Sequence, residues 1–220
     1  MKSIQYHEVS GPEVARYFRD LARLRITVFR EFPYLYEGAM EYEERYLETY
    51  FQHPESYCVL AFSEDRIVGA STGVPFVAEG PEHTGVFAGQ GIDPENVFYF
   101  GESVLEKDYR GQGIGKAFFQ YRESHARRLG RFTMVSFCAV ERPPDHPRRP
   151  PGYQTLHPFW EKVGFVQDPR LRTTFTWKDL NEEKESPKTM IFWRKDLLPE
   201  AQGPTGKKTA PKSKNFQKPS

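Results

Sequence analysis

The sequence predicts a single mixed α/β domain, and three observations predict it. Apolar runs of strand length and amphipathic helical stretches follow one another in the order β-α-α-β-β-β-α-β-α-β-β, a pattern of helices packed on a sheet. No internal repeat interrupts that order, so no solenoid is implied. Of 220 residues 38% are hydrophobic, enough for one buried core, yet no stretch approaches the roughly 20 apolar residues that a membrane-spanning helix requires.

The elements follow in order. Residues 3–9 alternate loosely and read as a first strand. Gly11-Pro12 opens a helix in which Val14, Phe18, Leu21, Leu24, Arg25 and Val28 recur at helical spacing. It should end near Phe32-Pro33, because the residue before a proline is pushed out of the helical region. A second helix fits 40–51, and the aromatic connection between the two, residues 32–38 (FPYLYEG), is too apolar for an ordinary solvent loop and is expected to pack or line a pocket. Strands at 57–62 and 66–74 are joined by Ser63, Glu64 and Asp65, turn chemistry that pairs them antiparallel. Residues 78–96, rich in Gly, Pro, Asp and Glu, form an insertion of unassigned shape before a strand at 97–105.

A helix at 113–129 carries Ile114, Ala117, Phe118, Tyr121, His125 and Leu129 on one face and stops at Gly130. Residues 132–140 are nearly all apolar and suit a strand covered on both faces. Five prolines in 141–152 exclude both helix and central strand, and an irregular segment of that length is expected to be functional or a linker. A short helix at 157–163 precedes a strand starting at Gly164-Phe165, and final strands at about 173–178 and 190–195 flank an acidic turn at 181–185.

The formal net charge of +1 hides an asymmetry: Lys207, Lys208, Lys212, Lys214 and Lys218 face no acid within 201–220, so residues 1–200 carry a net charge of −4. That argues against nucleic acid as the main partner of the body. The domain is expected to span 1–198, with 199–220 a disordered Lys- and Pro-rich tail that has too little to bury. The first residues lack a basic start followed by an apolar run, so no secretory signal is read and a cytoplasmic location is expected. Cys58 and Cys138 each sit in an apolar run without metal-ligand spacing, and no H-E-x-x-H pattern occurs, so neither a disulfide framework nor a metal is expected.

The most informative segment is 104–116, where a strand runs into a glycine-rich turn that opens an amphipathic helix. Unpaired N–H groups at a helix start, together with Gly111, Gly113 and Gly115, suit a phosphate ligand. A nucleotide-hydrolysing loop would need Gly at 110 and Ser or Thr at 117, where Arg110 and Ala117 stand. A dinucleotide fingerprint would need Gly at 116, where Lys116 stands, and an acid about 20 residues on, and none occurs before Glu141. A serine nucleophile turn around Ser103 would need Gly in place of Leu105.

Residues 110–115 (RGQGIG) do resemble the pyrophosphate loop Arg/Gln-x-x-Gly-x-Gly/Ala of the GNAT superfamily of acyl-CoA-dependent N-acetyltransferases, and 159–165 (FWEKVGF) resembles that family's second hallmark. With the element order, the resemblance covers roughly residues 3–197. It implies a mixed, mostly antiparallel sheet flanked by helices, opened into a V between the strand ending at Leu105 and the strand at 132–140. Acetyl-CoA as co-substrate would lie in that gap, its pantetheine amides on the main chain of Ser103, Val104 and Leu105. Its pyrophosphate would lie on Arg110, Gly111, Gln112, Gly113, Ile114, Gly115 and Lys116. The acceptor would meet the connection between the first two helices, which puts Phe32, Tyr34, Leu35, Tyr36, Arg25 and Arg30 beside it. The resemblance also leaves room for a homodimer.

An alkyl ammonium, pKa about 10.4, must lose a proton before its nitrogen can attack a thioester. Glu102 and Tyr99 lie on the strand leading to the cofactor loop, where relatives place such groups. Glu102 interrupts an otherwise apolar run, where desolvation favours proton uptake. Glu141, just after the next strand, is the second candidate base. The family's frequent general-acid tyrosine falls at Trp160, whose indole N–H cannot shuttle a proton, so either the thiolate leaves without a protein acid or another group supplies it, Tyr153 first, with His146 and His157 as alternatives. The function expected is acetyl transfer from acetyl-CoA to a primary amine of a small molecule or protein. The alternative is an inactive acyl-CoA-binding sensor, which the Trp160 departure permits.

Overall fold

A computed structural model describes residues 3–197. The expected tail at 199–220, and with it the domain boundary at 198, lies outside the described residues. The elements are β1 (Ile4–Ser10), α1 (Phe18–Phe29), α2 (Met40–Tyr50), β2 (Tyr57–Ser63), β3 (Arg66–Pro75), α3 (Pro81–Ala88), β4 (Val97–Tyr99), β5 (Ser103–Leu105), α4 (Ile114–Leu129), β6 (Met134–Val140), α5 (His157–Lys162), β7 (Val166–Trp177) and β8 (Ser186–Asp196). Among the described residues eight strands form one sheet in the order β1-β2-β3-β4-β6-β8-β7, with β5 paired to β3 off that path. Every strand pair is antiparallel except β4 with β6.

Side-chain alternation along β2 explains why the sheet is covered on both faces. Tyr57, Val59 and Ala61 join Phe118, Phe119 and Ala126 of α4 in one cluster, while Cys58 and Leu60 join Leu21 and Leu24 of α1 and Leu47 of α2 in another. A third cluster gathers Phe76, Phe87, Tyr99, Cys138, Trp177 and Phe192, so α3 serves as a cap over the far end of β6 and β8. No described helix is long and apolar enough to cross a membrane.

Four expectations about elements change. The helix expected from Gly11 begins as a 3-10 turn over Gly11–Tyr17, and the α-helix runs only from Phe18 to Phe29. The insertion at 78–96 holds a helix, α3, started by Pro81 and too short to show a periodic apolar face. The strand starting at 164–165 and that at 173–178 are one strand, β7, with a bulge between Asp168 and Arg172. There Asp168 accepts from Arg170 and Arg194, and Leu171 turns into the core.

The fourth change matters most for function. The run 97–105 is not one strand but two, because pairing with β6 stops at residue 100 while that with β3 continues past an interruption at 100–102. Phe100 donates its N–H to the Ser136 carbonyl on β6 at 2.7 Å, and the chain then leaves β6 and stays with β3: Gly101 N donates to Thr72 O at 3.1 Å and Thr72 N to Glu102 O at 2.9 Å. Gly101 is required there, since a Cβ would stand 2.7 Å from both Thr72 Oγ1 and the Tyr50 hydroxyl. Past the switch β5 pairs with β3 alone among the described residues, and its other edge opens toward β6.

Candidate functional site

Two cavities meet at the switch. A cleft of about 720 Å³ lies between β5 and β6 and continues along the glycine loop, lined at that end by Arg110, Gly111, Gly113, Gly115 and Lys116. A pocket of about 470 Å³ lies between the α1–α2 connection, α3 and β7. Phe29, Tyr34, Gly101, Glu102 and Cys138 line both, so any group passed from one cavity to the other moves past these residues.

The glycine loop is shaped for a ligand that needs backbone donors. Gly111 and Gly113 have φ of 75° and 86°, conformations that side chains rarely adopt, and a Cβ built on either would meet nothing within 4 Å. Gly113 also opens α4, whose first N–H groups have no intrahelical acceptor. The residues present therefore fit a pyrophosphate. Ser103, Leu105 and Lys116 line the cleft, whereas Val104 and Ile114 turn into the core and Gln112 bonds back to the Asp108 carbonyl. Arg110 differs from the expectation of a free cation: its guanidinium grips Glu31 at 2.7 and 3.1 Å while Nε donates to Leu105 O at 3.1 Å. Both partners are well exposed, and such pairs are worth only about 0–1 kcal/mol, so an incoming phosphate can compete for the arginine.

At the switch Glu102 is only 8% exposed and its Oε2 forms an ion pair with the Arg25 guanidinium, 2.8 Å from Nη1. Arg25 is in turn held by a short contact to buried Glu43 and lies over the Tyr46 ring at 4.3 Å. The expected apolar setting of Glu102 is thus corrected, for its charge has a buried counter-ion. Arg25 lines the pocket as expected, with its Nε on Glu43 and its Nη1 beside Glu102. Tyr34, Tyr36 and Tyr99 also line the pocket, and burial raises the pKa of all three, so they are neutral donors at physiological pH. The Tyr99 hydroxyl lies 3.0 Å from Cys138 Sγ, and burial pushes the Cys138 thiol up to about 12.

The structure separates other candidates from that pocket. Phe32 lies in the cleft, its ring 4.7 Å from Tyr153, and does not line the pocket. Leu35 is buried and Arg30 is exposed, and neither lines a cavity. Glu141 opens onto the cleft but is half exposed and paired with Arg172 at 2.7 Å. Tyr153 lines the cleft beside Arg149, with burial raising its pKa, and it keeps a proton to donate. Trp160 packs on Phe137 and Trp193, each at 5.0 Å, and His157 lies against the same two indoles. His146 stacks on Phe32. No group of three metal-ligating side chains occurs among the described residues.

Glu79 is the residue that sequence reasoning missed. It follows β3 in the pocket wall, and burial together with the carboxylates of Glu102 and Glu82 pushes its pKa from 4.5 to about 7. The only available hint was an acid two residues before Pro81. A raised carboxyl pKa means the folded state holds the proton more tightly. Its contribution to stability is complete below about pH 4.5 and is lost as pH rises through 7, roughly 3 kcal/mol at most. Glu79→Gln, which cannot ionise, is therefore expected to melt several degrees above the wild type at pH 8, and the difference should shrink toward pH 5 in paired thermal melts.

Comparison with known proteins follows this geometry. The family model described as Acetyltransferase (GNAT) family matches residues 21–165. No curated protein matches. Among solved structures, a ribosomal-protein-alanine N-acetyltransferase from Brucella melitensis superposes with a TM-score of 0.58 at 13% identity, covering 88% of this chain and 99% of its own. A structure from Salmonella typhimurium with its cofactor acetyl-CoA gives 0.55 at 9% identity, covering 92% and 98%. An aminoglycoside 6'-N-acetyltransferase complexed with coenzyme A gives 0.52 at 17%, covering 90% and 98%. At these identities the likeness is one of fold.

Proposed function

The chain belongs to the acetyltransferase (GNAT) family, and from that premise we propose that it transfers the acetyl group of acetyl-CoA to the nitrogen of a primary amine. The observation that carries this reading is the meeting of the two cavities at Glu102: a cleft with a phosphate-shaped loop at one end opens onto an aromatic pocket beside a carboxylate. Acetyl-CoA supplies an activated acyl carbon. The free edge of β5 offers main-chain partners to an amide-bearing arm, and Gly111, Gly113, Gly115 and Lys116 line the loop end of the cleft where the α4 N-terminus offers unpaired N–H groups. Glu102, oriented by Arg25, takes a proton from the acceptor ammonium. Tyr153, beside the cleft, serves as the donor to the departing sulfur, the role that Trp160 cannot fill. The alternative of an inactive sensor has less support, since the carboxylate, its orienting arginine and a donor tyrosine all line these cavities.

The test is thiol release from acetyl-CoA in the presence of primary amines, matched one to one with N-acetyl product by mass spectrometry. Binding without turnover on any amine or amine-bearing peptide would leave the sensor reading. Gly113→Val forces a β-branched residue into positive φ at the loop. It is expected to weaken acetyl-CoA binding at least tenfold, about 1.4 kcal/mol, by calorimetry, and unchanged affinity would remove the loop from the cofactor site.

A further inference from the structure

We propose that the pocket selects a small, unbranched primary amine carrying a second positive charge, with its reacting nitrogen at Glu102 and its remote cation at the end formed by α3 and β7, beside Glu79 and Glu82. The inference rests on the acetyl-transfer reading and adds the class of acceptor.

The pocket has two carboxylate positions with different surroundings. Glu102 lines both cavities and is matched by Arg25, whereas Glu79 and Glu82 line the pocket alone, away from the cleft. The Glu79 carboxylate has no hydrogen-bond or ion-pair partner among the described residues. The Glu82 carboxylate has only His83, at 3.6 Å, and burial lowers the pKa of that imidazole, which keeps it neutral near pH 7. Arg25, the sole Lys or Arg among the described residues lining the pocket, is engaged by Glu43 and Glu102. An isolated carboxylate in a half-enclosed site is destabilising until a cation arrives, and its raised pKa reports that cost.

The walls between the two positions suit the same ligand. Tyr34, Tyr36, Tyr46, Tyr99, Phe175 and Trp177 present rings along which methylenes pack and over which an ammonium is attracted. An anionic acceptor would meet three carboxylates and is excluded. A lysine side chain of a protein would bring a neutral backbone amide, not a cation, to Glu79. In the reaction the acceptor ammonium loses one proton to Glu102, the C–N bond forms as the C–S bond breaks, Tyr153 gives its proton to the departing sulfur to make free thiol, the nitrogen's second proton makes good the one lost by Tyr153, and Glu102 releases its proton to water. The remote ammonium is unchanged.

The experiment measures kcat/KM for three acceptors of equal length: 1,5-diaminopentane, 5-aminopentan-1-ol and 5-aminopentanoate. The expected order is diamine, amino alcohol, amino acid, with the diamine at least tenfold above the alcohol. In Glu79→Gln/Glu82→Gln the diamine-to-alcohol ratio should fall to about three or less. Equal rates on the three acceptors, or a ratio unchanged in the double variant, would overturn the inference and leave acetyl transfer standing. Failure to acetylate any of the three, with transfer to another amine in a wider panel, would likewise overturn it alone. Failure on every amine would remove the underlying reading as well.

Discussion

Glu102→Gln is expected to lower kcat by roughly 10²–10⁴, about 3–5 kcal/mol of barrier, with acetyl-CoA affinity within a few-fold of wild type. The amide keeps the shape of the side chain and can still accept from Arg25, but it cannot take a proton from the acceptor ammonium. Arg25 retains Glu43, so the buried cation is not orphaned by the change. The split between kcat and cofactor affinity identifies a defect in the chemical step and not in folding. Trp160→Phe, which keeps the packing on Phe137 and Trp193, should cost less than about threefold. Near-wild-type turnover in Glu102→Gln would remove it from the proton path and make Glu79 the next candidate.

Arg122→Ala is expected to destabilise the protein by about 3–5 kcal/mol in chemical denaturation. This arginine of α4 is 2% exposed and lies over the rings of Phe100 and Phe119 at 4.2 and 4.9 Å. It donates to Thr72 O at 3.2 Å, to Glu102 O at 3.4 Å and to Ser103 Oγ at 2.8 Å. Burial lowers its pKa to about 9, which leaves it charged at neutral pH. No carboxylate pairs with it among the described residues, so carbonyl and hydroxyl oxygens at the switch between β4 and β5 carry the compensation. Arg122→Met separates volume from bonding. Its stability should fall within about 1.5 kcal/mol of wild type, because volume is preserved and a buried charge is removed, while kcat falls as the Glu102 main chain loses its tether. A Met variant as unstable as Ala would show that the hydrogen bonds, not the filled space, hold this region.

The parts of this site that were legible in the sequence are the local ones. The glycine loop is six consecutive residues whose glycines and helix start can be read together, and Gly111 and Gly113 take the positive φ that glycine allows just before α4. Glu102 was visible as a charge in an apolar run, and Tyr34 and Tyr36 as aromatics in a connection too apolar for solvent. The pairing of Arg25 with Glu43 and Glu102, or of Arg110 with Glu31 79 residues away, leaves no local trace. The division of 97–105 was hidden for a similar reason. Either strand alone is an apolar run, and only the loss of β6 as a neighbour past Phe100, with β3 still paired on the other side, divides it. Phe32 and Tyr34 belong to one aromatic segment, yet Phe32 lines the cleft alone, whereas Tyr34 also lines the pocket. The far wall, made by Glu79, Phe175 and Trp177, is assembled from segments nearly 100 residues apart and could come only from the fold.

Cys138 stands where the two cavities join, closer to the path of the acyl group than any other thiol described. Thioester exchange runs through the thiolate, and a thiol pushed up to about 12 offers about one part in 10⁵ of that form at pH 7. Enclosure by Tyr99 and the third core cluster thus holds this thiol in its protonated, unreactive form. Under the proposed reaction the acetyl group is therefore expected to pass directly from sulfur to nitrogen, with both substrates seated together, and no acetylated Cys138 should be trapped by mass spectrometry when acetyl-CoA is added without an amine.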